Sequence, residues 1–378
     1  MRLRGRRLLL SAALLAMTFL QAVTTVSANG IGTVYVANEA ANSISVIDTN
    51  TNTAVEVIPL KLPPLSLAFS PDAHWVYVSH RDSNVISFLD TSVEDVTSSV
   101  RLGGQLGQLA VTSAGAWLLA PDSKEGVLRV VDASSHNQLF AVPVGGQPET
   151  VAASADGSVA FVADRSSGLV SMVDLKNRAV VRTYQAAAGK HYLALSPAPS
   201  GQELLVTGDS GDELMAVDAN SGQLKRTITL GPASGAAGFS PTGELAYIPR
   251  LGRAEVAIVN TTSGAPTGSI SLQSQPAGLG ISRDGKKGYV ALTDKDLVAV
   301  MDLVQKSVIA QVPVESGPTA VAVSPLQTKP QPVVMPGALP NTGGGPVDRG
   351  KDWPLAGGLF ILLAGTAAAV SRLRPRRR

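Results

Sequence analysis

A short apolar run ending in aspartate returns through this chain at a nearly fixed interval. It stands at Ser45-Val46-Ile47-Asp48, Phe88-Leu89-Asp90, Val130-Val131-Asp132, Met172-Val173-Asp174, Ala216-Val217-Asp218, Ile258-Val259-Asn260 and Val300-Met301-Asp302. The steps between the closing residues are 42, 42, 42, 44, 42 and 42. Seven copies at this period confine the chain to repeat architectures, in which each unit buries its apolar faces against its neighbours.

Four apolar runs follow one another inside each unit. In the second copy they are Leu67–Ser70, Val76–Ser79, Val85–Leu89 and Val96–Leu102, with turn residues between them. Short strands at regular spacing argue for an all-β fold, and four strands per unit of this length match one propeller blade. The reading is therefore a seven-bladed β-propeller of four-stranded antiparallel blades over residues 29–325. Hydrophobic residues make up 44% of the chain but aromatic ones only 4%. The core must then be built from Val, Ala, Leu and Ile, which suits stacked sheets of short strands.

The turns carry their own chemistry. Ser70-Pro71-Asp72-Ala73, Ser154-Ala155-Asp156-Gly157, Ser240-Pro241-Thr242-Gly243 and Ser282-Arg283-Asp284-Gly285 read as the first hairpin turn of their units. The closing Asp of the third run can accept a backbone N–H two residues on, forming an Asx-turn, and Asn260 can do the same through its amide oxygen. A ring of catalytic or metal-binding aspartates is the alternative; the turn explains every copy, including the Asn. Asn260-Thr261-Thr262 also matches a glycosylation acceptor. The two extra residues of the fifth unit are placed at Ala198–Gly201.

The register predicts how the ring closes. Counting back one period from Pro71 reaches Asn29, so the first unit lacks its own first strand. A spare copy lies at the far end, Ala320-Val321-Ala322-Val323-Ser324-Pro325. This run is expected to complete the blade that begins at Thr33, leaving no open edge.

Both ends read as addresses. Arg2, Arg4, Arg6 and Arg7 precede an apolar stretch from Leu8 to Leu20, and Val26-Ser27-Ala28 supplies small residues for cleavage after Ala28. Residues 1–28 therefore read as a secretory signal peptide, an uncleaved anchor being the alternative. Residues 326–338, with Pro330, Pro332 and Pro336, form a semi-rigid linker. Residues 339–378 hold Leu339-Pro340-Asn341-Thr342-Gly343, a polar spacer, an apolar span at 354–370 and the basic Arg372, Arg374, Arg376, Arg377 and Arg378. The span would hold an exported chain in the membrane, and the Arg cluster would stay cytoplasmic.

Charge follows the same division. Setting aside the four Arg of the leader, and the seven basic and two acidic residues from Gly343 onward, leaves 20 basic and 27 acidic residues, a net of −7. An acidic body argues against nucleic acid as partner. The chain has no Cys, which excludes disulfides, thiolate metal sites and Cys nucleophiles. No cofactor motif is present: there is no phosphate loop, nucleophile elbow or haem attachment site.

Val34-Tyr35-Val36-Ala37-Asn38, Trp75-Val76-Tyr77-Val78-Ser79, Ala160-Phe161-Val162-Ala163-Asp164 and Gly288-Tyr289-Val290-Ala291 resemble the YVTN-type repeat of surface-layer and lactonase-like β-propellers. That family hosts binders, lyases, lactonases and redox enzymes, so the resemblance implies fold more than function. The motif, span and basic tail at the C-terminus resemble the cell-wall sorting signal of Gram-positive surface proteins. The resemblance implies a sortase cutting between Thr342 and Gly343 and joining Thr342 to a cell-wall peptidoglycan amine.

Chemistry in a propeller concentrates in the loops at one mouth of the channel. Aligned at the period, the loops entering the innermost strands place Gln108, Glu149, Lys190, His191 and Tyr192 on neighbouring blades. The loops after the second strands begin at Asn38, His80, Asp122, Asp164, Gly208, Arg250 and Leu292, with Arg81 and Arg165 beside them. Gln108, Lys190, Tyr192, Arg81, Arg165 and Arg250 are the candidate binding residues. Glu149 and His191, at matched positions of adjacent blades, are the candidates for an acid–base pair. Four His in the chain give no ligand-spaced cluster, so no metal site is expected. The leading expectation is a wall-anchored propeller that binds an extracellular protein or glycan. An extracytoplasmic lactonase-like or lyase-type enzyme is the alternative.

Overall fold

Strand-forming runs that return every 42 residues stack as sheets around an axis in the computed structural model, which describes residues 32–185, 193–208, 213–230, 235–250 and 252–326. Seven four-stranded antiparallel sheets form the blades of a propeller, with no helix among the described residues. Blade two runs Pro64–Phe69, Trp75–His80, Val85–Asp90 and Asp95–Arg101 in sequence order. Blades three to seven repeat this order. The first strands of neighbouring blades lie against one another around the axis. The segments read as a signal peptide (1–28) and a sorting signal (339–378), and all but residue 326 of the expected linker, lie outside the described residues. No described helix is long and apolar enough to cross a membrane.

Blade one closes the ring as the register requires. Pro318–Val323 pairs with Thr33–Asn38, setting Val34 opposite Val323, Tyr35 opposite Ala322 and Val36 opposite Val321. The two ends of the domain thus share one sheet.

Burial explains the sequence pattern strand by strand. Every residue of Thr33–Asn38 is buried, which is why the second strand of a blade reads as a continuous Val, Tyr and Ala run. The outermost strand Asp95–Arg101 alternates between exposed and half-buried residues instead. Among the described residues the core is divided into seven clusters, one at each junction between blades. Val34, Val36 and Ile47 of blade one meet Tyr289, Val298 and Val300 of blade seven, for example. Phe161, Val170 and Met172 of blade four meet Leu204 and Val206 of blade five. Each junction buries several aliphatic side chains, each worth about 1.5–3 kcal/mol.

The repeated closing residue makes its turn in every blade. Asp48, Asp90, Asp132, Asp174, Asp218, Asn260 and Asp302 each accept a backbone N–H two or three residues on. Hydrogen bonds from Ser134 and Ser135 hold the Asp132 carboxyl down at about 2. The same turns contain a left-handed position at Asn52, Glu94, His136, Arg178, Gly222, Gly264 and Lys306. Five of these residues reach back to the preceding blade. Lys287 Nζ donates to Asn52 Oδ1 at 3.0 Å, Tyr35 donates to Glu94, and His136 stacks on Phe88 at 3.7 Å. The Arg178 guanidinium lies 4.5 Å from the Phe140 ring centre, and Lys306 Nζ donates to the Thr267 carbonyl.

One register assignment needs correcting. Thr150 pairs with Ala163 in blade four, and Ala194 with Thr207 in blade five, so these two strands are already offset by 44 residues. The outer strand of blade four keeps the offset of 42, with Gln185 opposite Leu169 as Arg101 is opposite Val85. The two extra residues therefore enter between Gln185 and Leu193, not at Ala198–Gly201. Leu193, rather than His191, takes the place of Glu149 in the next blade.

Candidate functional site

The mouth of the channel is built from two loops of each blade, tied together by main-chain bonds. In blade three the Ser123 N–H donates to the Gln105 carbonyl at 2.9 Å, and Asp122 Oδ1 accepts from the Gln105 N–H at 3.0 Å. Blade four repeats both bonds: Arg165 N–H to the Gln147 carbonyl at 3.0 Å, and Gln147 N–H to Asp164 Oδ1 at 3.1 Å. The chain must come very close to the carboxylate to do this. A Cβ on Gly146 would stand 1.6 Å from Asp164 Oδ2, and its φ is +59°, so glycine is required there on both counts. The loops are thereby a fixed frame for the side chains they carry.

A cavity of about 320 Å³ opens between these loops, at the small end of the range that holds small ligands. Arg81 of blade two, Lys124 of blade three and Glu149 and Arg165 of blade four line it, with the amides of Gln105 and Gln147. Arg81 forms a two-pronged pair with Glu39 of blade one, Nε to Oε1 at 3.0 Å and Nη2 to Oε2 at 2.8 Å. That hydrogen-bonded partner pushes the guanidinium pKa up, so Arg81 is charged at all working pH. Arg165 Nη1 lies 3.4 Å from both carboxylate oxygens of Glu149. Oε2 is buried and has that ion contact but no hydrogen bond. The Glu149 carbonyl accepts from the Gln108 N–H at 2.8 Å, a closeness that Gly107 permits, since a Cβ there would stand 2.0 Å from that oxygen.

The structure brings Arg81, Arg165 and Glu149 into one cavity, with Gln108 on the adjoining strand entry. It does not bring Arg250 there. That side chain is 7% exposed and donates to Glu255 at 2.7 Å within blade six. Lys190, His191 and Tyr192 lie outside the described residues, as do Leu339, Pro340, Asn341, Thr342 and Gly343. Among the described residues no group of three His, Asp or Glu is placed to hold a metal ion. Gln105, Gln147 and Lys124 are lining residues absent from the candidates read off the sequence. Their signal is the Asp that fixes each loop: Lys124 follows Asp122 by two residues, and Gln105 and Gln147, one period of 42 apart, each donate a backbone N–H to the Asp seventeen residues on.

No protein-family model matches the chain, and no curated protein matches it. Solved structures do. Hydrazine synthase of Kuenenia stuttgartiensis matches with a TM-score of 0.62 and 20% identity, over 70% of this chain and 91% of that one. Dihydro-heme d1 dehydrogenase NirN, solved in complex with DHE, matches with a TM-score of 0.60 and 15% identity, over 78% and 76%. A functionally unknown protein from Desulfotomaculum acetoxidans matches with a TM-score of 0.69 and 13% identity, over 79% of this chain and all of that one. At these identities the likeness shows the propeller fold and nothing finer.

Proposed function

We propose that this protein is a wall-anchored propeller that captures an extracellular ligand at the mouth between blades two and four. The observation that carries the reading is the convergence of Arg81, Lys124, Arg165 and Glu149 on one cavity held by rigid loops. Three cations, two amides and the two carboxylates of Asp82 and Glu149 line it, leaving a net positive charge that suits a hydroxyl-rich ligand with an acidic group, as in an acidic glycan of the envelope or of a host surface. The leader at 1–28 and the sorting signal at 339–378 support display outside a Gram-positive cell, with sortase and peptidoglycan as the anchoring partners. The Pro-rich 326–338 would hold the propeller off the wall.

A glycan panel tested by thermal shift checks this. A ligand that binds only the folded state raises the melting temperature. Acidic glycans should do so with the wild type and not with an Arg81→Ala/Arg165→Ala double variant. Equal shifts for both proteins would remove the mouth as the binding site. A second reading, lactonase-like or lyase chemistry at Glu149, draws on its buried Oε2 that has no hydrogen bond; His191 enters it as a residue of the neighbouring loop, not at the matched position. Sugar-lactone turnover lost in both Glu149→Gln and His191→Ala would favour it.

A further inference from the structure

A second cavity, of about 780 Å³, lies where the chain passes from blade one into blade two, and it shares no lining residue with the mouth cavity. His80 and Ser87 form part of its wall. His80 is 1% exposed and Ser87 8% exposed. Nε2 of His80 lies 2.8 Å from Ser87 Oγ, and Nδ1 lies 3.2 Å from the Leu62 carbonyl. A carbonyl can only accept, so Nδ1 carries the hydrogen. In the neutral ring Nε2 then presents its lone pair, and the hydroxyl of Ser87 donates to it. Burial lowers the His80 pKa below the ordinary histidine value, which favours that neutral form.

The neighbouring blades show what is particular here. Asn38 of blade one occupies the position of His80 and donates to Ser45 Oγ at 2.9 Å. An amide has no basic nitrogen, so that pair can only be structural. In blade three the pair is Asp122 with Arg129, and the guanidinium occupies the position of Ser87. Blade two alone among these three combines a base, a hydroxyl and open space. Lys61 and Arg101 line the same cavity, with Asp95 the one acidic residue among its lining.

We infer that Ser87 is a nucleophile, with His80 as its base, toward a small carboxylic ester entering this cavity. Ser87 Oγ bonds to the ester carbonyl carbon as its proton passes to His80 Nε2. Lys61 and Arg101 favour the negative charge that develops on the carbonyl oxygen. The carbon–oxygen bond to the alcohol breaks, and the alcohol leaves with the proton from His80. Water then attacks the acyl carbon as His80 Nε2 takes one of its protons; the bond from the acyl carbon to Ser87 Oγ breaks, His80 returns the proton to Oγ, and the carboxylic acid leaves and gives its proton to solvent. This site shares no residue with the mouth cavity and stands or falls independently of it.

Incubation of the full chain with p-nitrophenyl acetate, followed by peptide mapping, tests the assignment. The acetyl group is expected on Ser87 and not on Ser45. His80→Asn copies the blade-one pair and should keep the fold while slowing acylation by roughly a hundredfold or more, the reach of a general base. Absence of the adduct on Ser87 in the folded wild type overturns the proposal, as does an unchanged rate in His80→Asn. Should that variant fail to fold, Ser87→Ala decides: p-nitrophenol release that persists at the wild-type rate also overturns it.

Discussion

The hydroxyl of Tyr35 in blade one donates to the carboxylate of Glu94 in blade two at 2.6 Å. Glu94 stands at the left-handed position of its turn, with φ +51°, so the backbone is strained to aim this side chain at the neighbouring blade. Burial, with added repulsion from Glu56 and Asp90, pushes the Glu94 carboxyl up to about 7 although the Tyr35 bond opposes the rise. An unfolded Glu titrates near ~4.3, so the folded state holds this proton more tightly. Its contribution is present in full below ~4.3 and is lost as pH rises toward 7. Melting curves of wild type and Glu94→Gln between pH 4.5 and 7.5 should therefore diverge. The wild type should lose roughly 1–2 kcal/mol relative to the variant, a value reduced for partial solvent access. Parallel curves would show that Glu94 is ionised at little cost.

Removing the closing strand should be far more damaging than trimming a terminus. Deleting residues 319–325 takes away the partner of Val34–Ala37 and opens the inner edge of blade one. It also strips Val321 and Val323 from the core shared by blades one and seven. A fall in melting temperature of roughly 10 °C or more is expected, if the chain folds at all. An unchanged melt would mean that the ring is held by its blade junctions alone.

The architecture was legible because one physical requirement recurs. The Asx-turn residue, the fully buried second strand and the spare C-terminal strand each follow from patterns of period 42. What periodicity could not show is what differs between copies. The pairs Asn38–Ser45, His80–Ser87 and Asp122–Arg129 occupy one position of the repeat, yet their chemistry is set by residues that no turn or strand rule constrains. The left-handed position was hidden for a related reason. Glycine marks it only at Gly222 and Gly264, while Asn52, Glu94, His136, Arg178 and Lys306 hold the same conformation through contacts with the preceding blade. His136 thus looks like an idle turn residue in sequence and is a stacked ring against Phe88 in the fold. The offset at the fifth repeat was misplaced because strand pairing, not turn composition, fixes register.

Anchoring makes its own prediction. If sortase joins the protein to peptidoglycan through Thr342, then Thr342→Ala should leave the propeller intact and shift it out of the covalent wall fraction. Cell fractionation with immunodetection reads this directly. Wall-linked protein undiminished by the substitution would reject the sorting reading and favour a plain membrane anchor.

The buried ion pair of blade three should be sensitive to the loss of either charge. Arg129 Nε donates to Asp122 Oδ2 at 2.8 Å, and the two side chains are 8% and 0% exposed. Asp122 also accepts from the N–H groups of Gln105, Lys124 and Glu125, so it orders both loops at the mouth. Replacing Arg129 by Met leaves the carboxylate buried without its counter-charge, at a cost of about 3–5 kcal/mol in urea unfolding. Asp122→Asn in the same chain removes that charge while keeping an oxygen for the loop N–H groups. The double variant should therefore recover part of the loss. Losses that simply add would show that the two side chains act independently, and that the loop bonds rather than the ion pair set the stability of blade three.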